Sequence, residues 1–205
     1  MAELEAYEWS NIWWEQAPDN SKPRVLIVGD SITVGYRSDV NSNLNGEIYA
    51  DAYSTSKSID NPFYIDELDL VIKQSRKDYD LIHFNCGLHG FHLSVNDYAE
   101  FYEKAVVHII KMYPDSKLAL VLSTPITEIG NPKKLDKVKN SIVENRNKAV
   151  LEIANKYSLP VNDLYSPMLN KPRLRQKDGF HYNNKGCKYQ AELVSRFIVE
   201  KIKNQ

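Results

Sequence analysis

The stretch from Arg24 to Gly29, RVLIVG, is short, β-branched and almost wholly apolar, and it ends in glycine. That is how a parallel strand buried on both faces reads, because neither face needs the polar alternation of a solvated sheet. Runs of the same character recur at 47–53, 80–85, 117–123 and 159–164. Between them the apolar residues fall at helical intervals: Ile65, Leu68, Val71 and Ile72, then Tyr98, Tyr102, Ala105, Val106 and Ile109, then Ile142, Val143, Val150 and Ile153. A last helix is predicted over about 185–203, with Ala191, Val194, Ile198 and Ile202 on one face. Short strands alternating with longer helices imply crossover connections. The expected fold class is therefore α/β, a sandwich in which helices cover a five-stranded, mainly parallel sheet.

Composition narrows the function classes. With 205 residues the chain suits one domain. Hydrophobic residues at 42% and charged residues at 26% argue against a disordered or fibrous chain. Lys+Arg 26 against Asp+Glu 27 leaves a formal charge of -1, so no global field draws the protein to nucleic acid or to an anionic membrane surface. The longest apolar runs, such as 118–122, are far short of the roughly 20 residues that a spanning helix needs. Residues 1–23 are expected to form an extension packed on the domain, with Trp9, Trp13 and Trp14 on the outside of the sandwich; residues 24–205 form the single domain. The extension has neither a basic region nor an apolar one of secretory type, and Cys86 and Cys187 are too few for a disulfide framework. A cytoplasmic protein is the expectation.

In an open parallel sheet the ligand sits beyond the carboxyl ends of the strands, which points to the residues just after Gly29, Tyr53, Asn85 and Ser123 and to the loop before the last helix. The first strand runs into Asp30-Ser31-Ile32-Thr33-Val34-Gly35. Here Ser31 sits on a strand-to-helix turn, among the unpaired N–H groups of a helix start. Three readings stand open at this point: a nucleophile whose oxyanion would find those donors, a helix cap, or a phosphate cradle. Near the other end, Asp178-Gly179-Phe180-His181 puts a carboxylate three residues before an imidazole, a spacing that one helical turn would bring together so that Asp178 fixes the tautomer of His181. Joined to Ser31, this pair completes a nucleophile, base and orienter set. Asn85, at the end of the third run, is a candidate amide donor to an oxyanion, or a residue that satisfies loop backbone.

Gly29-Asp30-Ser31, Asn85 and Asp178-x-x-His181, in that order, resemble the SGNH hydrolases, also called the GDSL esterase/lipase family, over nearly the whole chain from Val25 to about Ile198. The resemblance implies a flavodoxin-like three-layer α/β/α fold and hydrolysis of a carboxylic ester through an acyl-enzyme. By position it makes Ser31 the nucleophile, His181 the base and Asp178 its orienter, with the oxyanion held by the N–H of Ser31, the backbone of Ser56 and the amide of Asn85. Asp30 and His89 are expected at the substrate. Two blocks depart from the family pattern: Phe84-Asn85-Cys86 stands where Gly-Asn-Asp is usual, and Ser56 occupies the place of a glycine.

The small single-domain members of that family often deacetylate sugars, and no long apolar lid is visible here. The expected substrate is therefore a small or carbohydrate ester carrying a short acyl group, O-acetyl above all. A lysophospholipase or acyl thioesterase is the rival within the enzyme class; a non-catalytic binding module for carbohydrate or nucleotide is the rival outside it. No metal or other cofactor is expected, since His89 and His92 lack further ligands at tight spacing. Cys86 is read as a packing residue, and Lys133, Lys134, Lys137 and Lys139 as a solvated face.

Overall fold

The computed structural model describes residues 4, 7–75 and 78–203. The chain runs β1 (Ser10–Trp13), β2 (Arg24–Gly29), α1 (Ser31–Leu44), β3 (Tyr49–Thr55), α2 (Tyr64–Ser75), β4 (Leu81–Phe84), α3 (Val95–Met112) and β5 (Lys117–Leu122). A small β6/β7 hairpin (Thr127–Glu128 and Asn131–Leu135) follows, then α4 (Lys139–Lys156), β8 (Val161–Asp163) and α5 (Asn184–Lys203).

The main sheet has the order β1-β3-β2-β4-β5-β8. All neighbours from β3 to β8 pair in parallel, and they are the five runs expected from sequence. The sheet nevertheless has six strands, because β1 adds to its edge antiparallel to β3, with Ser10 opposite Thr55 and Trp13 opposite Ala52. The extension at 1–23 thus contributes a strand to the sheet; residues 1–3, 5 and 6 of that stretch, and residues 76, 77, 204 and 205 of the expected domain, lie outside the described residues.

The period of two along each strand sorts side chains into two cores. Leu26 and Val28 of β2, Ile82 and Phe84 of β4, and Leu118, Leu120 and Leu122 of β5 face α2, α3 and α4. Their alternates Val25, Ile27, Leu81, Ala119 and Val121 face α1 and α5, which bring Tyr36, Val40, Val194 and Ile198. That layering is the three-layer α/β/α sandwich. At the amino ends of the strands, buried Arg24 donates from Nη1 to Asp51 at 2.6 Å, and the Tyr79 hydroxyl donates to the same carboxylate at 2.9 Å.

Lys133 and Lys134 lie exposed on β7. The hairpin leans on the segment before α5: the Thr127 N–H donates to the Gly179 carbonyl at 2.9 Å and the Gly130 N–H to Lys177 at 2.7 Å. Gly179 has φ +90, and a Cβ there would stand 2.5 Å from the Thr127 carbonyl oxygen, so only glycine fits.

Leu26, fully buried in the central strand, sets the scale of the core. Leu26→Ala should cost about 2–5 kcal/mol, read as a fall in the midpoint of denaturant unfolding with an unchanged slope.

Candidate active site

Strand β2 lies mid-sheet, and the chain leaves it first for β3 on one side and then for β4 on the other. That reversal opens a crevice at the carboxyl end of β2. Ser31 is the first residue of α1, directly beyond that end, and Asp30 caps the helix: its Oδ1 accepts the Ile32 N–H at 2.9 Å.

From 150 positions further along the chain, His181 comes to meet it: Nε2 of His181 lies 2.8 Å from Ser31 Oγ. Nδ1 of His181 lies 2.7 Å from Asp178 Oδ2. The carboxylate can only accept, so Nδ1 carries the proton and Nε2 is left to accept from the serine hydroxyl. Asp178 Oδ1 in turn accepts the backbone N–H groups of Phe180 at 2.9 Å and His181 at 2.8 Å. Partial burial alone would raise the Asp178 pKa, but the bonds from the His181 N–H, the His181 ring and the Phe180 N–H outweigh it, and the carboxyl is held below its usual range. The motif is the tip of a tight turn and not a turn of helix. Arg175 bridges Tyr182 across it, and the Gln176 N–H donates to the His181 carbonyl at 2.9 Å.

The other expected residues are placed differently. Asp30, expected at the substrate, is only 4% exposed and serves as the cap. Ser56 is not a free oxyanion donor, because its N–H already donates to the Trp9 carbonyl at 3.1 Å and its hydroxyl accepts the Trp9 N–H at 2.9 Å. Asn85 likewise has both amide hydrogens engaged, with the Val121 carbonyl at 2.8 Å and Ser123 Oγ at 3.1 Å. His89 sits half-buried on the loop after β4 and is not among the residues lining the cleft at Ser31. That loop is gripped from beneath by Arg146, fully buried on α4, whose guanidinium donates to the carbonyls of Gly87, His89 and Gly90.

Three histidines resolve into structural roles. Buried His83 accepts from the Asn162 amide at 3.0 Å, and desolvation lowers its pKa to about 3, so it stays neutral. His92 pairs with Asp60 at 3.0 Å and His108 with Asp69 at 2.9 Å. Among the described residues no group of three or more His, Cys, Asp or Glu is placed to hold a metal ion, and no helix is long and apolar enough to cross a membrane.

A cleft of about 450 Å³ opens at Ser31 and His181. Its walls include Trp9 and Asn11 from the segment around β1, Ile32 and Val34 from α1, Gln176 and Tyr182 from the turn, and Cys187 and Gln190 from α5. Sequence reasoning missed these. By sequence Trp9 belongs on the outside of the sandwich, and nothing in the aperiodic extension signals that pairing with β3 carries it to the cleft.

A family model described as GDSL-like lipase/acylhydrolase matches residues 25–194. Similar solved structures include a carbohydrate acetylesterase, Est24, from Sinorhizobium meliloti, with a TM-score of 0.68 at 14% identity over 87% of this chain and 99% of that one. A lipase/acylhydrolase from Enterococcus faecalis has a TM-score of 0.67 at 19% identity, covering 86% and 95%. The acetyl xylan esterase AlAXEase has a TM-score of 0.66 at 18% identity, covering 85% and 99%. No curated relative matches the chain by sequence. At such identities the likeness of these structures is one of fold.

Burial pushes the Cys86 thiol up to about 12. A thiol and not a thiolate is therefore present near neutrality, and Cys86 should take up no iodoacetamide at about pH 8 in the native protein while the unfolded chain labels fully. Peptide mass spectrometry reads the difference, and rapid native labelling would contradict the reading of Cys86 as a packing residue.

Proposed function

This chain belongs to the GDSL-like lipase/acylhydrolase family and is a carboxylic ester hydrolase of that type, and on that premise we propose that it removes short acyl groups, O-acetyl above all, from a carbohydrate through an acyl-enzyme formed on Ser31. The observation that carries the reading is the hydrogen-bonded chain Ser31–His181–Asp178, with links of 2.8 Å and 2.7 Å, open to the cleft.

In this reaction His181 Nε2 takes the proton as Ser31 Oγ attacks the ester carbonyl, and Asp178 stabilises the imidazolium that forms. The tetrahedral oxygen carries negative charge close to the first turn of α1, where the Ser31 N–H has no partner within the helix and the helix dipole favours an anion. His181 returns its proton to the leaving alkoxide, the alcohol departs, and water activated by the same imidazole cleaves the acyl-enzyme.

The cleft wall supports a sugar as the alcohol. Trp9 offers a flat apolar face, and the exposed Asn11, Gln176 and Asn184 offer amides that match hydroxyl groups. Acetylesterases among the structures of similar fold point the same way. A fatty acyl chain would ask for an apolar tunnel in place of those three amides.

Ser31→Ala should lower kcat/KM for p-nitrophenyl acetate by at least about a hundredfold without loss of fold. Equal rates would move the nucleophile elsewhere. Because a protonated imidazole cannot accept the serine proton, kcat/KM should also fall toward acid with a one-proton slope while Asp178, held below its usual range, stays ionised. A profile flat from about pH 5 to 9 contradicts the role given to His181.

A further inference from the structure

Gln190, on α5, lines the cleft beside Ser31, is 0% exposed, and has no hydrogen-bond partner at Nε2 or Oε1 among the described residues. This protein pairs its other buried amides. Asn147 exchanges bonds of 2.8 Å and 2.9 Å with the backbone of Ser123, Asn140 accepts the Ile126 N–H at 2.9 Å, and Asn162 donates to His83. Buried polar side chains are satisfied in the large majority of cases, so one that is unpaired at both ends against a cavity is an unmet demand for a ligand. An amide presents one acceptor and one two-hydrogen donor about two ångströms apart, a set that hydroxyl groups, each donor and acceptor at once, can satisfy and a hydrocarbon cannot.

We propose that Gln190 determines specificity by hydrogen-bonding hydroxyl groups on the alcohol portion of the ester while Ser31 attacks its carbonyl. This rests on the esterase reading above and goes beyond it by assigning the discrimination to one side chain. Its neighbours set the limits of the subsite. Cys187 lies one helical turn before Gln190, and Gly35 on α1 faces it so closely that a Cβ would stand 3.1 Å from Cys187 Sγ. With Ile32 and Val34 forming the adjoining apolar wall, the amide is the polar recognition element on that side of the cleft. An ester whose alcohol lacks hydroxyl groups would bury against an amide left unpaired, which costs affinity in the transition state as much as a lost hydrogen bond does.

The test uses the full chain and three esters: p-nitrophenyl acetate, a mono-O-acetylated methyl xyloside, and cyclohexyl acetate, which has a ring but no hydroxyl groups. Wild type should prefer the xyloside to cyclohexyl acetate by at least about tenfold in kcat/KM. Gln190→Met keeps the length of the side chain and removes the amide; it should erase most of that preference and unfold no earlier than wild type, since no internal bond is lost. An equal fall on all three esters with a lower melting temperature would make Gln190 a packing residue and overturn the proposal. So would a wild type that does not discriminate between the two ring esters while still cleaving p-nitrophenyl acetate. Failure to cleave any ester would instead refute the esterase reading itself. Should the methionine variant not fold, nitrogen-15 spectra of Ser31→Ala protein decide: the Gln190 side-chain amide signals should move on adding the acetylated xyloside and stay in place with cyclohexyl acetate, and signals that stay in place with both esters refute the assignment.

Discussion

The bond between Ser31 Oγ and His181 Nε2, 2.8 Å long, joins two points 150 residues apart, and it exists because α1 and α5 pack side by side on one face of the sheet. Ser31 opens α1, and His181 stands three residues before α5 begins. The packing of the two helices therefore places the two groups at the same rim. Glycine at position 35 admits the close approach, since a side chain there would press on Cys187. Val40, Val194 and Ile198, buried between these helices and the sheet, hold the pair through apolar contact, so that the site inherits the rigidity of the core.

The edge strand β1 has a second effect on the site. In a ladder, successive N–H groups point to opposite sides of their strand. The Ser56 N–H points outward, to the Trp9 carbonyl, and is lost to the crevice. The same pairing places the indole of Trp9 in the cleft wall. A segment that reads as an aperiodic extension thus removes one expected donor and supplies one unexpected wall. Asn85 shows the same principle on the other side of β2. A free amide at a strand end is drawn to whatever acceptors the neighbouring strand leaves open, and the end of β5 offers the Val121 carbonyl and Ser123 Oγ.

What was legible in the sequence follows from this. The five parallel strands and the last helix carry their signal within themselves, as runs buried on both faces and as a stripe of period 3.6, and RVLIVG alone located the central strand. The serine, the imidazole and the carboxylate were identifiable because their order along the chain, next to those elements, limits where they can meet. The direction of an N–H, the rotamer of an amide and the partner of an edge strand depend on contacts between distant segments. Four residues reading SNIW carry no period that would disclose β1. Gln190 likewise looks from sequence like one polar residue on a helix, and only the absence of a partner among the described residues sets it apart.

The Asp178–His181 pair cannot hold its own geometry by attraction. Its side chains are 42% and 39% exposed, and an ion pair as open to water as this contributes about 0–1 kcal/mol, less than the cost of ordering two side chains and a turn. The turn is therefore ordered from outside. Gln176 and Arg175 pair with His181 and Tyr182 across its base, and the β6/β7 hairpin donates two N–H groups, from Thr127 and Gly130, to carbonyls on its flank. Arg175, buried, donates further to the Pro125 carbonyl at 2.6 Å and to the Tyr182 hydroxyl at 2.7 Å, tying the turn to the loop after β5. Exposure then becomes useful rather than costly. A base that must take a proton from Ser31, return it to a departing alcohol and activate water needs contact with solvent, and a frame of backbone bonds supplies the fixed position that burial would otherwise have to provide.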